Sequence, residues 1–522
     1  MKLFKKSSSQ AVVHDGSREL DHGEIMVIIT ALMLAMFLAA LDQTIVSTAL
    51  PKIARELNGL SEYSWVATSY LLTSAIATPI YGKISDMFGR KKIFMASITL
   101  FLVGSALCGL SQNMGQLILF RGIQGLGGGG IFSLALAIVG DIVPPSKRGR
   151  YQGYFGAVFG VSSVAGPLLG GLITDHLSWR WIFYINLPIG ILALAAISAR
   201  LHLPVRKTDH QVDYAGALLL AATAGSLLLT LVWGGTKYAW GSHTIVGLMI
   251  GFVVALAAFL ARETKAAEPI IPLRLFKNGI FRVSTILSLL SGMVMFGAIL
   301  FLPQYQQLVR GESATASGLL MTPLVFGLLA ASITSGRLIS KLGRYRMFPI
   351  VGTLGVILGF FLFSHISMTT SHFILSLWMI VLGLGIGSFM QVMTLATQNA
   401  VKREDLGSAT SVVVFARTIG SSLGAAIFGA ILTARLNYHL KGIDASGVQV
   451  NANNLSSSIG QAGKSHPEVV HTILQAFSLS FRDVFLYAIP FAIAAFIASL
   501  FLKDAKLRGG KDEAHTMSPA VE

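Results

Sequence analysis

Apolar runs of about twenty residues recur along nearly the whole chain, separated by short polar or glycine-rich segments. A helix of that length crosses the roughly 30 Å hydrocarbon layer of a bilayer and satisfies its own backbone polar groups. The pattern predicts an all-α, polytopic membrane protein with fourteen transmembrane helices. The predicted spans are 25–50, 63–82, 93–112, 116–140, 151–173, 181–200, 214–233, 244–261, 282–303, 315–336, 348–368, 373–394, 407–434 and 483–502.

Composition supports a membrane protein, since 53% of the 522 residues are hydrophobic and 12% are charged. The mean hydropathy is +0.68. The formal charge of +16 does not indicate a nucleic-acid partner, because the basic residues stand in short clusters between the apolar runs. They concentrate in the segments that face the cytosol when the N-terminus is cytosolic. We therefore predict a multi-pass protein of the cytoplasmic membrane with both termini in the cytosol.

The chain repeats itself. The loop Gly82–Lys92 matches 336–346 in its glycines and basic residues, and Ala49-Leu50-Pro51 matches Phe301-Leu302-Pro303. Two parallel halves with cargo bound between them are a transporter plan. The predicted segments are a cytosolic tail (1–24), a six-helix bundle (25–200), linkers with two inserted helices (201–281), a second six-helix bundle (282–502) and a cytosolic tail (503–522).

A predicted external loop, about 436–480, interrupts the second bundle. It is rich in Ser, Asn and Gly from Gly442 to Ser465 and more helix-like from Pro467 to Ser480. Its composition is typical of a disordered tether, and a lid over the external mouth is the alternative.

Asp42 is a carboxylate in the middle of the first span, and Arg121 is a charge inside the fourth. An ionisable residue at depth costs about 2.5–3.5 kcal/mol on insertion scales, so it usually has a task in a polar cavity. By helix rise, Asp42 lies about 12 Å and Arg121 about 8 Å below the external ends of their spans. Proton binding by Asp42 is one interpretation. A structural ion pair, an Arg121 that snorkels outward, or an Asp42 hydrogen-bonded to its neighbours Gln43 and Thr44 are the others.

The loop Gly82–Lys92 resembles the G-x-L-x-D-x-x-G-R-K-x signature of the major facilitator superfamily. Six residues of the fifth span resemble the glycine-proline signature of its antiporters: Gly153, Ser162, Gly166, Pro167, Gly170 and Gly171. The stretches 41–51 and 179–188, the latter with Trp179, Asn186 and Pro188, are similar to the fourteen-span drug:proton antiporter branch, the EmrB/QacA group.

This resemblance implies the major facilitator fold, two six-helix bundles with two helices inserted between them. It implies a proton-coupled antiporter that exports hydrophobic, cationic drugs or toxic compounds by alternating access, as in multidrug efflux and antibiotic resistance. Protons are then the coupling ion, with no other cofactor and no metal. The expected partners are lipophilic small molecules and the bilayer around a monomer, and an accessory periplasmic partner stays open.

The resemblance also assigns residue roles. Asp42 and Arg121 couple protons, with Arg121 tuning the acidity of Asp42 through water or Gln124. Asp86, Arg90 and Asp141, with Gly82 and Gly89, form a charge cluster that holds the outward-facing state. The alternative is that the basic residues of this loop only keep it in the cytosol.

Residues on helices that line the cavity in this superfamily are cavity candidates. They are Gln43, Trp65, Tyr70, Gln124, Gln304, Tyr305, Gln391, Gln398, Phe415 and Arg417. Aromatic faces beside one carboxylate favour flat lipophilic cations. Arg417 either balances charge in the second half or hydrogen-bonds neighbouring backbone.

Other functions are compatible with the sequence to different degrees. Export of one specific metabolite or lipid is equally compatible with the spans. A polytopic membrane enzyme is disfavoured, because the spans hold no paired carboxylates or metal-ligand cluster. A single cysteine, Cys108, excludes an internal disulfide. The run Gly125–Gly130 lacks the Gly-Lys-Ser/Thr ending of a nucleotide loop and indicates close helix packing.

Overall fold

The computed structural model describes residues 22–57, 62–201, 212–235, 237–441, 444–445, 448–449 and 467–507. These residues are almost entirely helical, which confirms the all-α prediction. The helices are α1 (His22–Glu56), α2 (Tyr63–Phe88), α3 (Arg90–Leu110), α4 (Met114–Ile142), α5 (Pro145–His176), α6 (Trp181–Tyr184), α7 (Asn186–Arg200), α8 (Tyr214–Trp233), α9 (His243–Glu263), α10 (Gly279–Leu308), α11 (Ala314–Leu320), α12 (Thr322–Leu342), α13 (Met347–Phe363), α14 (His372–Phe389), α15 (Val392–Ala400), α16 (Leu406–Leu440) and α17 (Pro467–Leu500). Two short strands, β1 (Asp444–Ala445) and β2 (Val448–Gln449), pair antiparallel.

Within the described residues, twelve helical segments are long and apolar enough to cross a membrane, which confirms a multi-pass protein. They comprise α1, α3, α4, α5, α6 with α7, α8, α9, α10, α11 with α12, α14 with α15, α16 and α17. The two remaining predicted spans correspond to α2 and α13. Helix α2 has 26 residues but is rich in Ser, Thr and Tyr, and α13 is apolar but has 17 residues. The number fourteen therefore stays a prediction.

The helices pack in two similar sets. In the first, α1 lies against α5 and α7, while α2 and α3 both lie against α4. In the second, α10 lies against α16 and α17, while α12 and α13 both lie against α14. Helices α8 and α9 pack on each other, and α8 also contacts α2 and α16. The pair α8–α9 thus stands outside both sets and closes the side where α2 meets α16.

The two sets meet where α2 packs on α16 and where α12 packs on α5. Glycines allow both approaches at the predicted cytosolic end. A Cβ on Gly82 of α2 would lie 2.8 Å from the carbonyl oxygen of Gly407, and one on Gly149 of α5 would lie 2.8 Å from that of Gly336. Because such distances exclude a side chain, the backbones of the two sets are in direct contact here.

The predicted external loop, about 436–480, is helical from Pro467 to Ser480, as its composition indicated. Helix α16 continues to Leu440 and α17 begins at Pro467, so both ends of the segment 436–480 are helical. Between these helices, only residue 441 and strands β1 and β2 are described. The rest of this loop lies outside the described residues, as do most of the N-terminal tail, residues 202–211 of the first linker and the tail from 508 onwards.

Candidate functional site

Asp42 of α1 lies in a closed network of polar side chains within the first set of helices. Its Oδ2 accepts from Arg121 Nη1 of α4 at 2.6 Å. Its Oδ1 accepts from Gln124 Nε2 at 2.8 Å and from Asn186 Nδ2 at 3.1 Å. Asp42, Gln124 and Asn186 are fully buried, and Arg121 is 2% exposed. The structure therefore joins the two predicted intramembrane charges directly, rather than through water.

A second layer holds Arg121 in place. Its Nη1 also donates to Gln124 Oε1 at 2.7 Å, and its Nε donates to the carbonyl oxygen of Val66 at 3.3 Å. The guanidinium carbon lies 4.3 Å from the centre of the Tyr70 ring. Tyr70 was expected to line the cavity, but it is 1% exposed and stacks on the charge instead.

Asn186 is the partner that sequence reasoning missed. It is the first residue of α7, and its Nδ2 also lies 2.9 Å from Ser105 Oγ of α3. It belongs to the stretch 179–188, which was noted only as a family signature. A buried amide beside a buried carboxylate has a clear physical role, because each hydrogen bond to the charged oxygen offsets part of its desolvation cost.

The glycine-proline stretch of α5 packs directly behind this network. Side chains at Gly166 or Gly170 would overlap Thr44 and Thr48 of α1, and Thr44 Oγ1 donates to the carbonyl oxygen of Ser162 at 2.9 Å. On another face of α5, a Cβ on Gly153 would lie 2.6 Å from the carbonyl oxygen of Ser332 in α12. Helix α5 therefore links the segment that carries Asp42 to the contact between the two sets. Of the remaining signature residues, Pro167 lies against Gly318 and Gly171 faces Thr315.

The predicted latch residues come together at the end of α2. Arg90 Nη1 lies 2.6 Å from Asp86 Oδ1, and Arg90 Nε lies 2.6 Å from Asp141 Oδ2. Gly89 between them has φ 97°, a conformation that favours glycine. This geometry puts one arginine between two carboxylates at the predicted cytosolic end.

Asp86 also reaches the other set of helices. Its carboxylate accepts from the backbone N–H of Gly407 at 3.0 Å and of Ser408 at 2.7 Å, and from Ser408 Oγ at 2.8 Å. These groups form the first turn of α16, where unpaired N–H groups and the helix dipole favour an anion. Sequence reasoning missed Gly407 and Ser408, since the distance of more than 320 residues gives no local signal.

The second copy of the loop makes a neutral counterpart. Ser340 stands in α12 where Asp86 stands in α2, and its Oγ accepts from the backbone N–H of Arg150 at 3.1 Å. Arg150 lies near the beginning of α5, as Ser408 lies near the beginning of α16. The two contacts between the sets therefore match in position, but only one carries a carboxylate.

A cavity of about 860 Å³ lies between the two sets, beyond these contacts and towards the predicted external side. It is lined by residues of α1, α2, α4, α5, α8, α10 and α16, by the turn after α8 and by Met390 at the end of α14. Most of its surface is apolar, with five aromatic rings: Phe132, Phe159, Phe296, Phe301 and Trp240. Cavities of this size accommodate drug-sized molecules.

Three of the ten predicted cavity residues line it, namely Gln43, Gln304 and Arg417. The others lie elsewhere. Gln124 and Tyr70 belong to the Asp42 network. Gln398 donates to the carbonyl oxygen of Leu136 at 2.9 Å, and Tyr305 donates to that of Ser367 at 2.8 Å. Trp65 packs edge-on against Trp233, Phe415 packs in apolar clusters and Gln391 is buried.

Asp42 itself does not line this cavity, although its neighbour Gln43 does. The carboxylate beside which the aromatic faces were expected to bind a cation is therefore absent from the lining of this cavity. Successive residues of a helix point about 100° apart, so Gln43 faces the cavity while Asp42 faces α4 and α7.

A further carboxylate lies inside a long apolar helix. Asp483 was placed at the edge of the last span, but α17 begins 16 residues earlier, at Pro467. Asp483 Oδ2 lies 2.6 Å from Arg435 Nε and 2.9 Å from His439 Nε2 of α16. Among the residues that the structure describes, no group of three or more His, Cys, Asp or Glu is placed to hold a metal ion.

Comparisons with known proteins agree with this architecture. The family model described as Major Facilitator Superfamily matches residues 32–425. An uncharacterized MFS-type transporter of Mycobacterium tuberculosis is 43% identical over 94% of this chain and 71% of its own length. The multidrug transporter protein MdtP of Bacillus subtilis is 37% identical over 95% of this chain and 96% of its own. The solved proton:xylose symporter XylE shares the fold, with a TM-score of 0.62 at 14% identity over 93% of this chain and 98% of that one.

Proposed function

Because this chain belongs to the Major Facilitator Superfamily, we propose that it is a proton-driven antiporter that exports hydrophobic compounds across the cytoplasmic membrane by alternating access. Relatives named as multidrug transporters support export of such compounds. Proton coupling is inferred from the buried Asp42 network, in which the ion pair between Asp42 and Arg121 joins α1 to α4.

In this proposal a proton binds to Asp42 and neutralises its carboxylate. The ion pair with Arg121 is then lost, while Arg121 keeps Gln124 and Val66 as hydrogen-bond partners. Helix α1 is released from α4, and its motion passes through Thr44 and Thr48 to the glycines of α5 and from α5 to α12. Release of the proton on the cytosolic side restores the ion pair.

The energetics suit a coupled step. Removing one partner of a buried ion pair costs about 3–5 kcal/mol, which is large enough to bias a two-state contact. A membrane potential of 100 mV contributes about 2.3 kcal/mol for each net charge moved. Exchange of one inward proton for one neutral cargo molecule moves one charge and uses this contribution in full.

The proposed cargo is not a cation. The expectation of a cationic cargo depended on a carboxylate facing the cargo, and Asp42 faces away from the cavity. The cavity instead supports a bulky, largely apolar cargo. Export of one specific metabolite or lipid is the second candidate, favoured by relatives such as the rubrofusarin-specific efflux pump of Gibberella zeae.

We also propose the fourteen-span topology of the drug:proton antiporter branch. Helix α13 contacts α14 and α17 as α3 contacts α4 and α7, and α2 contacts α4 as α12 contacts α14. Helices in equivalent positions of two matching sets cross the same layer, so α2 and α13 complete twelve spans in addition to the pair α8–α9.

Reconstitution tests the coupling. The full chain is incorporated into liposomes, and uptake of a hydrophobic dye is followed with and without an imposed proton gradient. We expect Asp42→Asn to abolish gradient-driven accumulation, because its amide cannot cycle between charge states. Asp175→Asn is the matched control, since Asp175 is an exposed residue near the end of α5.

Gradient-driven accumulation by folded Asp42→Asn at the wild-type rate would contradict the proposal. Comparing many hydrophobic dyes with single candidate metabolites separates the two cargo classes. Transport of one compound alone favours the specific exporter.

A further inference from the structure

The cavity contains one charge. Of its lining residues, Arg417 of α16 alone is ionisable, and the remainder are apolar side chains, glycines, amides and hydroxyls. Asp42 stands outside this lining and is neutralised by Arg121. Asp86, at the closed end of the interface, is paired with Arg90. The space between the two sets of helices is therefore positive.

Within the part of the chain that the structure describes, no hydrogen bond or ion pair reaches the Arg417 guanidinium. The hydroxyls that follow it on its own helix bond to the backbone, and none of them accepts from the guanidinium. Thr418, Ser421 and Ser422 each donate to a backbone carbonyl oxygen one turn earlier, at 3.0 to 3.2 Å. Arg417 is half-buried in the cavity wall. Holding a charge away from bulk water without a counterion is costly, so an uncompensated arginine at this position indicates a partner that comes from outside the protein.

The guanidinium selects the chemistry of that partner. Its parallel N–H groups match the two oxygens of a carboxylate or the oxygens of a sulfonate, and it stays charged at any physiological pH. It repels a cation. The alternatives left open for Arg417 by its sequence, charge balance or backbone bonding, find no partner among the described residues.

The other lining residues indicate the chemistry of the rest of the ligand. Phe159, Phe296 and Phe301 offer ring faces and edges, and Gln43 and Gln304 offer amides on the wall formed by α1 and α10. Aromatic rings pack well against other flat apolar groups. We propose that the cavity binds amphipathic anions, which have an aromatic body and a carboxylate or sulfonate group held by Arg417. This inference rests on the proposed export function, in which the cavity is the cargo site.

A matched pair of probes tests the charge. Anilinonaphthalene sulfonate and neutral N-phenylnaphthylamine share the same rings and differ by the sulfonate. Their equilibrium binding to the full chain in lipid nanodiscs is measured against empty nanodiscs. We expect Arg417→Gln to weaken sulfonate binding about tenfold, as loss of a charge-assisted hydrogen bond implies. Binding of the neutral probe should change by less than about twofold.

Two further variants separate charge from geometry. Arg417→Lys keeps the charge but loses the bidentate contact, so we expect an intermediate affinity for the sulfonate. Arg282→Gln removes an exposed positive charge at the beginning of α10 and should change neither affinity. Equal sulfonate affinity in the wild type and folded Arg417→Gln would overturn the inference.

A measurement on the wild type tests the anion site even if Arg417→Gln does not fold. The wild type should bind anilinonaphthalene sulfonate more tightly than the lipophilic cation tetraphenylphosphonium, and the reverse order would overturn the inference. These binding experiments need no proton gradient. Arg417-dependent binding without gradient-driven transport therefore contradicts only the proposed function, and coupled transport without Arg417 dependence contradicts only the anion site.

Discussion

Asp42 accepts three hydrogen bonds while it is excluded from solvent, and one of them comes from the only cation it touches among the described residues. A carboxylate satisfied in this way tolerates burial, because the hydrogen bonds and the ion pair offset desolvation. In the same arrangement, the attraction between α1 and α4 depends on whether the Asp42 carboxylate is charged. Protonation removes the attraction to Arg121 and leaves the arginine buried.

A double-mutant cycle measures this coupling. Asp42→Asn leaves Arg121 without a counterion, and Arg121→Gln leaves Asp42 without one, so each single variant should lose about 3–5 kcal/mol of stability. The double variant removes both charges and should be more stable than the sum of the single losses predicts, by about 0.5–3 kcal/mol. Thermal unfolding in nanodiscs provides the measurement. Additive losses would mean that the two residues do not act as a pair.

Helices α2 and α16 contact each other through a carboxylate and two glycines. Asp86 satisfies N–H groups in the first turn of α16, and Gly82 and Gly407 bring the two backbones close enough for this contact. An interaction between an anion and a helix N-terminus is short-ranged, so a small separation of the helices breaks it. The contact is suited to a two-state closure.

A methyl group at this contact should open it. In Gly407→Ala, the new Cβ would lie 2.5 Å from Asp86 Oδ1 and 2.7 Å from the carbonyl oxygen of Gly82, so α16 must move away from α2. We expect slower transport with cargo affinity changed less than about threefold. Rates in liposomes and binding in nanodiscs are compared with Gly247→Ala in α9, where a Cβ meets nothing within 4 Å. Unchanged transport would show that this closure does not limit the cycle.

The contact between Ser340 of α12 and the beginning of α5 has no carboxylate, so adding one there should stabilise the closed conformation. Ser340→Asp puts a carboxylate near the first turns of α5, next to the N–H of Arg150. We expect about 0.3–1 kcal/mol of added stability in the closed conformation and slower turnover, because both interfaces are then charged. Ser340→Asn is the neutral control of similar size. A faster rate in Ser340→Asp than in Ser340→Asn would contradict this account.

At the scale of the molecule, two matching sets of helices enclose a cavity, and the sets differ in charge. The first holds the paired Asp42 and Arg121, and the second contributes the unpaired Arg417 to the cavity. Aligning the repeats puts Val294 opposite Asp42, and Val294 is a buried apolar residue of α10. The paired charges therefore lie inside one set, whereas the cavity is lined by both sets and holds a charge from the second.

The fourteen-span topology can be tested by labelling on each side of α13. Arg344→Cys and Thr369→Cys put exposed thiols before and after this helix. A membrane-impermeant maleimide should label Thr369→Cys in intact cells and Arg344→Cys only in inverted vesicles. The native Cys108 is fully buried, so the unmodified chain serves as the background control. Labelling of both variants from one side would mean that α13 does not cross the membrane.

The sequence by itself determined the helical, multi-pass architecture, because a run of apolar residues long enough to span a bilayer has a local cause. It also singled out Asp42 and Arg121, since charges stand out in such runs, and Asp86, through the resemblance of its loop to the superfamily signature. The tertiary structure alone decided what these charges face. Lipid is as apolar as the protein interior, so hydrophobic periodicity does not reveal which side of a transmembrane helix is buried. Asn186 beside Asp42, Ser408 beside Asp86 and the unpaired Arg417 in the cavity depend on helix rotation and on contacts between distant segments.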